Sequence, residues 1–208
     1  MKILALGGSP RKEGNTAWYL QRVLETAAAL GAEGELVELG GLDIEGCRGC
    51  YGCVKAGKCV VEDDFQEVFQ KLIEADGILF GSPVYHGSIT SKLKAVMDRA
   101  GFSGRWAMNQ MKDKGEAYTW KGTVFSDKVV APVTVARRAG QNFAFAQILL
   151  WAAANDCIIV GNTYWNVGAA GKGGAKDASE DVEGVGIMDG LAHRMVETIR
   201  ALEMRDGR

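Results

Sequence analysis

The sequence predicts an α/β protein built on a five-stranded parallel sheet, in the doubly wound order 2-1-3-4-5, with helices on both faces. Three observations carry that expectation. Short apolar runs alternate with segments of helical periodicity, five of each. The first apolar run ends in a glycine-rich loop that opens a helix, as in a parallel βα unit that holds an anion. A second irregular loop follows the third run. The two candidate ligand loops therefore stand where the strand order of such a sheet reverses.

The elements follow in order. Residues 2–6, apolar after Lys2, stop at Gly7-Gly8 and read as a buried strand. Residues 15–30 have helical periodicity, with Asn15 or Thr16 as cap, and residues 36–39 read as a second strand. Asp63 or Asp64 caps a helix running to about residue 74, whose Phe65, Val68, Phe69 and Leu72 share a face. Residues 77–81 form a third strand closed by Ser82-Pro83, and 88–100 a helix. Residues 128–135 are rich in β-branched side chains and read as a fourth strand, against which Pro132 speaks. Residues 141–154 form a largely apolar helix, 157–160 a fifth strand and 182–204 the closing helix. Two segments, 101–127 and 161–183, fall outside this pattern. They are expected to be long loop insertions, of a length usual for lids, interfaces or disorder.

Composition narrows the class. At 208 residues, with 47% hydrophobic and 24% charged residues, the chain reads as a single globular domain, 1–208. A net charge of −2 gives no general attraction to nucleic acid or to an anionic membrane. The longest apolar stretch, 143–154, is too short to span a bilayer, and no targeting signal is read, so a cytoplasmic protein is expected. In a reducing cytosol clustered cysteines favour metal or redox chemistry over structural disulfides.

The loop Gly7-Gly8-Ser9-Pro10-Arg11-Lys12-Glu13-Gly14-Asn15-Thr16 has the parts of a phosphomonoester cradle. Glycines allow close backbone approach, and a helix start offers unpaired N–H groups. Ser9, Asn15 and Thr16 add short donors, and Arg11 adds charge. It is neither a Walker A motif nor G-x-G-x-x-G. The plain alternative is a glycine-rich βα turn with a good cap. After the third strand, Pro83-Val84-Tyr85-His86-Gly87 has an irregular backbone with groups free to bond a heterocycle and an aromatic surface in Tyr85. His86 could act as an acid, although a lone histidine on such a loop is more simply polar surface.

Cys47, Cys50, Cys53 and Cys59 have the spacing C-x2-C-x2-C-x5-C, and the only other cysteine is Cys157. The bacterial ferredoxin run begins with the same two spacings. Four-cysteine zinc sites usually join two separated knuckles, for which little chain is left here. A redox-active thiol pair, or a motif that binds nothing, are further readings. Gly49, Gly52 and Gly57 provide the backbone freedom ligation needs. Cys157 reads as a small buried hydrophobe.

The phosphate loop, together with the run Gly81-Ser82-Pro83-Val84-Tyr85-His86-Gly87-Ser88-Ile89-Thr90-Ser91-Lys92-Leu93-Lys94-Ala95-Val96-Met97-Asp98-Arg99, resembles the NADPH-dependent FMN reductase branch of flavodoxin-like proteins. The cysteine motif between them resembles the iron–sulfur flavoproteins of that branch. The resemblance covers at least residues 1–100. It implies a flavodoxin-like fold and an FMN phosphate held by Ser9, Arg11, Asn15 and Thr16. It also implies a flavin ring against Pro83, Val84, Tyr85, His86 and Gly87, and a [4Fe-4S] cluster on Cys47, Cys50, Cys53 and Cys59. Homodimers or homotetramers are common in the family.

Three functions are weighed. The first is an electron-transfer flavoprotein, taking electrons from a ferredoxin-like donor through cluster and FMN to a small or protein acceptor. It uses cofactor-borne chemistry and no catalytic side chain. The second is an NAD(P)H-dependent FMN or quinone reductase without a cluster, for which Arg137 and Arg138 could meet a nucleotide phosphate. The third is a non-enzymatic redox-sensing flavin module. Trp106, Trp120, Trp151 and Trp165 could cover flavin or fill an interface, and Trp151 is expected in the core.

Overall fold

The computed structural model describes residues 1–107, 122–169, 171 and 177–207. Strands β1 (Lys2–Gly7), β2 (Glu33–Glu38), β3 (Gly77–Pro83), β4 (Val129–Ala136), β5 (Ile158–Ile159) and β6 (Val167–Ala169) form one sheet. Helices α1 (Asn15–Ala29), α2 (Gly52–Ala56), α3 (Phe65–Glu74), α4 (Ser91–Ala107), α5 (Gln141–Ala154) and α6 (Val182–Arg205) are interleaved with them. The order is β2-β1-β3-β4-β5, as expected, with β6 also pairing β4. All pairings are parallel.

Pleating divides the core. In β1 Ile3 and Ala5 face one side, among Leu20 and Val23 of α1 and Met195 and Val196 of α6. Leu4 and Leu6 face the other, among Phe65 and Leu72 of α3, Leu93 and Met97 of α4 and Ile148 of α5. Both faces of the sheet are covered, which a parallel sheet requires. Trp151 is half-buried against the core. Its ring lies edge-on to Phe80 and Phe125, and its Nε1 donates to Met97 O at 2.7 Å.

Several details depart from the sequence reading. The helix expected to stop at 100 continues to Ala107, so the segment read as a loop from 101 starts with helix. The segment 161–183 contains β6 and a 3-10 turn, Ala178–Glu180. Gly168 sits so tightly on the Tyr19 ring that a Cβ there would lie 2.1 Å from Tyr19 Cε2. No alternating pattern of three residues could announce that strand.

Pro132 is accommodated inside β4, opposite Phe80 of β3. Val129 N–H points to Asp76 O on the β3 side, whereas Val130 O and Thr134 N–H bond towards β5 and β6. By alternation the Pro132 nitrogen faces the second side, between the pairing of Val130 with Ile159 and that of Thr134 with Val167. A missing N–H costs nothing in that gap.

Neither expected cap at the first helix is used: Gly14 is the N-cap and no side chain caps the helix. At α3 the N-cap is Asp64, but the side chain that accepts from Phe65 N–H is Asp63. No helix among the described residues is long and apolar enough to cross a membrane.

Candidate functional site

The ends of β1 and β3 are locked together before any ligand enters. Gly8 N–H donates to Gly81 O at 2.8 Å, and the Thr90 hydroxyl donates to Gly8 O at 2.7 Å. Ser82 Oγ accepts from Thr90 N–H at 3.0 Å. A Cβ on Gly8 would lie 2.8 Å from Leu93 Cβ and 3.1 Å from the Gly81 carbonyl, so glycine is required.

Beside this lock lies an open cleft of about 480 Å³, within the usual range for a small-molecule site. Seven of the nine residues expected to hold the flavin line it: Ser9, Arg11, Asn15, Thr16, Pro83, Val84 and Tyr85. The start of α1 opens here with no side-chain cap and no acidic residue in its first turn, which leaves helix N–H groups and the positive dipole end for an anion. Ser9 and Thr16 are buried in the loop, and Ser9 Oγ accepts from Arg11 N–H at 3.1 Å. Asn15 Oδ1 accepts from Ala178 N–H at 3.0 Å, tying the 3-10 turn to the start of α1.

His86 and Gly87 stand apart from the cleft lining. Tyr85 and Ser88 exchange both backbone hydrogen bonds at 2.9 Å, and His86 and Gly87 have φ of 50° and 76°. That is a two-residue turn of the I′ kind, which explains glycine at its second position. His86 is exposed at its tip.

The sequence reading did not single out Asp177 or Gly171 in the cleft wall. Arg137 lines this cleft and also a neighbouring one of about 280 Å³, which Arg138 and Tyr164 help to form.

The four clustered cysteines line a single small pocket, walled by Val60, Val61 and Phe102. Cys47 and Cys50 are exposed, Cys53 is buried and Cys59 lies between. The loop reverses through three left-handed positions, Gly49, Tyr51 and Gly57, with φ of 62°, 56° and 70°. At Gly52 a Cβ would fall 2.4 Å from Val60 Cγ2. Burial first, and then the charges of Cys59, Cys47 and Cys50, push the Cys53 thiol up. Among the described residues no three His, Cys, Asp or Glu side chains are closed onto a metal position. The donor set of four thiols round one partly apolar pocket nevertheless fits a group held by thiolates, iron–sulfur or zinc.

The most informative side chain beside the pocket is Arg99, which is fully buried. Its Nη1 and Nη2 reach Asp63 at 2.6 and 2.9 Å, Glu45 O and Val61 O at 3.1 Å each, and Cys59 Sγ at 3.3 Å. Its guanidinium stacks over Phe65 at 4.1 Å. One side chain thus grips the chain before Cys47 and after Cys59. Burial opposes the charge of both partners. Asp63 and Cys59 nevertheless hold Arg99 above its ordinary value, and Arg99 with the Glu45 and Phe65 amides holds Asp63 below the carboxylate range.

The pocket lies along α4 rather than at its start. Ser91 follows the locked loops, and Phe102 is eleven residues on, roughly 16 Å at 1.5 Å per residue. At the root of the cysteine loop Gly40 packs on Ser9 and Pro10. Trp106 packs on Phe102 with centroids 6.0 Å apart, Trp165 is exposed, and Trp120 lies outside the described residues.

A doubly wound parallel sheet, with an anion-accepting helix start and an irregular second loop at its reversal point, defines a flavodoxin-like protein. Solved structures agree on the fold. A flavone reductase has a TM-score of 0.72 at 20% identity, covering 98% of this chain and 64% of that one. A flavodoxin from the domain Archaea has a TM-score of 0.59 at 12% identity, covering 96% and 99%. Residues 1–172 match the family described as NADPH-dependent FMN reductase. An iron–sulfur flavoprotein of Methanocaldococcus jannaschii is 31% identical over 98% of this chain and 100% of its own length. One of Archaeoglobus fulgidus is 31% identical over 97% and 96%. The chain belongs to the NADPH-dependent FMN reductase family, in its iron–sulfur flavoprotein branch, and is an FMN-dependent oxidoreductase.

Proposed function

We propose that this chain is a cytoplasmic two-centre redox protein. FMN occupies the cleft between the ends of β1 and β3, and Cys47, Cys50, Cys53 and Cys59 hold a [4Fe-4S] cluster. Electrons pass from a ferredoxin-like donor or NAD(P)H to a small or protein acceptor. The observation that carries this reading is that all four cysteines line one pocket whose loop ends are gripped by a buried arginine bonded to Cys59 Sγ. When bound, the cluster exchanges single electrons and FMN takes up one or two.

The chain's own residues bind and orient. Ser9, Arg11, Asn15, Thr16 and the start of α1 receive the phosphate. Pro83, Val84 and Tyr85 support the ring, with His86 and Gly87 fixing the hairpin behind it. Val84 N–H is spent on Val135 O at 2.9 Å, which holds that wall to the sheet. Buried Val61 and half-buried Phe102 wall the inner side of the cysteine pocket. The assembly is a homodimer or homotetramer. In its support, α5 carries no charged residue and leaves Phe143 and Leu150 exposed, at 74% and 70%.

A second reading, an NAD(P)H-dependent FMN or quinone reductase without a cluster, draws on Arg137, which borders both clefts. The two are separated by replacing all four cysteines with serine. Retained FMN with lost reduction by a one-electron donor supports the two-centre reading. Undiminished NAD(P)H oxidation in that variant supports the second.

A further inference from the structure

We propose that Arg99 is a positioning residue for the cysteine-held centre: it clamps both ends of the cysteine loop and donates an N–H to Cys59 Sγ, and this donation raises the reduction potential of the group the four thiolates carry. The inference rests on the proposed iron–sulfur reading.

The placement of Arg99 is unusual for a structural ion pair. Its neighbours on α4, Val96, Met97 and Ala100, are all buried apolar residues. A guanidinium at 0% side-chain exposure bears a large desolvation cost, and an apolar side chain of similar volume could fill the space without it. Asp63 takes both terminal nitrogens, Nη1 at 2.6 Å and Nη2 at 2.9 Å. The two N–H groups of Nη2 are shared among Asp63 Oδ1, Val61 O at 3.1 Å and Cys59 Sγ at 3.3 Å, so the guanidinium reaches the sulfur as well as its carboxylate.

Asp63 cancels much of the net charge, so the direct N–H···S contact is the part of Arg99 that reaches the sulfur most strongly. Reduction adds one electron to a four-thiolate centre, with no bond made or broken. The added negative charge strengthens a hydrogen bond to sulfur, so the bond favours the reduced state. Its removal must move the potential to more negative values.

The test uses the anaerobically purified full chain and two readouts. In the first, protein labelled with ¹⁵N-arginine is reduced with dithionite and examined by pulsed EPR. A resolved ¹⁵N coupling to the reduced centre is expected in the unsubstituted protein and is absent from Arg99→Lys. In the second, a mediated potentiometric titration of Arg99→Lys, at matched iron content, is expected to show reduction about tenfold less favourable, a shift of about 59 mV for one electron.

Iron present with no ¹⁵N coupling overturns the inference, as does an unchanged potential at equal iron content. Where Arg99→Lys fails to hold iron, the labelled unsubstituted protein decides alone. Protein that never holds iron overturns the two-centre reading itself, and the inference with it, so the two failures are distinguishable.

Discussion

Arg99 shows what a single residue can fix. Its ion pair with Asp63 is buried on both sides, at 0% and 4% side-chain exposure. Removing one member strands the other, so Arg99→Met is expected to cost about 3–5 kcal/mol in urea unfolding. Gly8→Ala places a methyl group against Leu93 Cβ and the Gly81 carbonyl, where the ends of β1 and β3 are locked together. It is expected to cost about 1–3 kcal/mol and to weaken FMN binding, measured by flavin fluorescence titration. Cys157 is a different case, for burial pushes its thiol up to about 12. At pH 8 it stays protonated, and iodoacetamide labelling followed by mass spectrometry should leave it largely unmodified while exposed Cys47 and Cys50 react in metal-free protein. The cysteine motif was legible in the sequence because its ligands lie close along the chain. Arg99 was not singled out, because Asp63 and Cys59 lie 36 and 40 residues away and only the packed α4 brings them to it.

Between elements, α1 and α6 are joined by side-chain hydrogen bonds. Arg22 makes a two-pronged pair with Asp189 at 2.7 Å per bond, and Thr26 adds a third bond to the same carboxylate at 2.7 Å. Nearer the cleft, the Tyr19 hydroxyl donates to Asp181, which also caps α6 through Gly184 N–H and accepts from Ala169 N–H of β6. The hydrogen bonds from Arg22 hold the Asp189 carboxyl below its ordinary range. A depressed carboxylate stabilises above its unfolded pKa of about 3.9, and that contribution disappears as pH falls through the folded value. Urea midpoints are therefore expected to fall below about pH 4, with a shallower fall in Asp189→Asn. The pair is partly exposed, so the difference is about 1 kcal/mol or less. Gly168→Ala drives a methyl group into the Tyr19 ring and should loosen β6, with a cost of about 1–3 kcal/mol. Long periodic elements were legible: α5 spans residues 141–154 as expected. The strand β6 was not, since three residues carry no period and its place depends on Gly168 fitting against Tyr19.

For the whole molecule, strand order followed from alternation of apolar runs and helices, because a parallel sheet admits few arrangements. The position of the cleft followed as well, at the reversal between β1 and β3. What topology could not supply is distance. Arg99, Phe102 and Ser103 of α4 wall the cysteine pocket, which shares no lining residue with the cleft, so that two sites share a scaffold without sharing a wall. The central claim is that both sites are filled in one chain. It is tested most directly by iron, acid-labile sulfide and FMN analysis of protein purified without exposure to air. The account predicts about four iron and four sulfide per chain alongside FMN. Flavin without iron in such a preparation would contradict it and leave a flavin reductase with four free thiols.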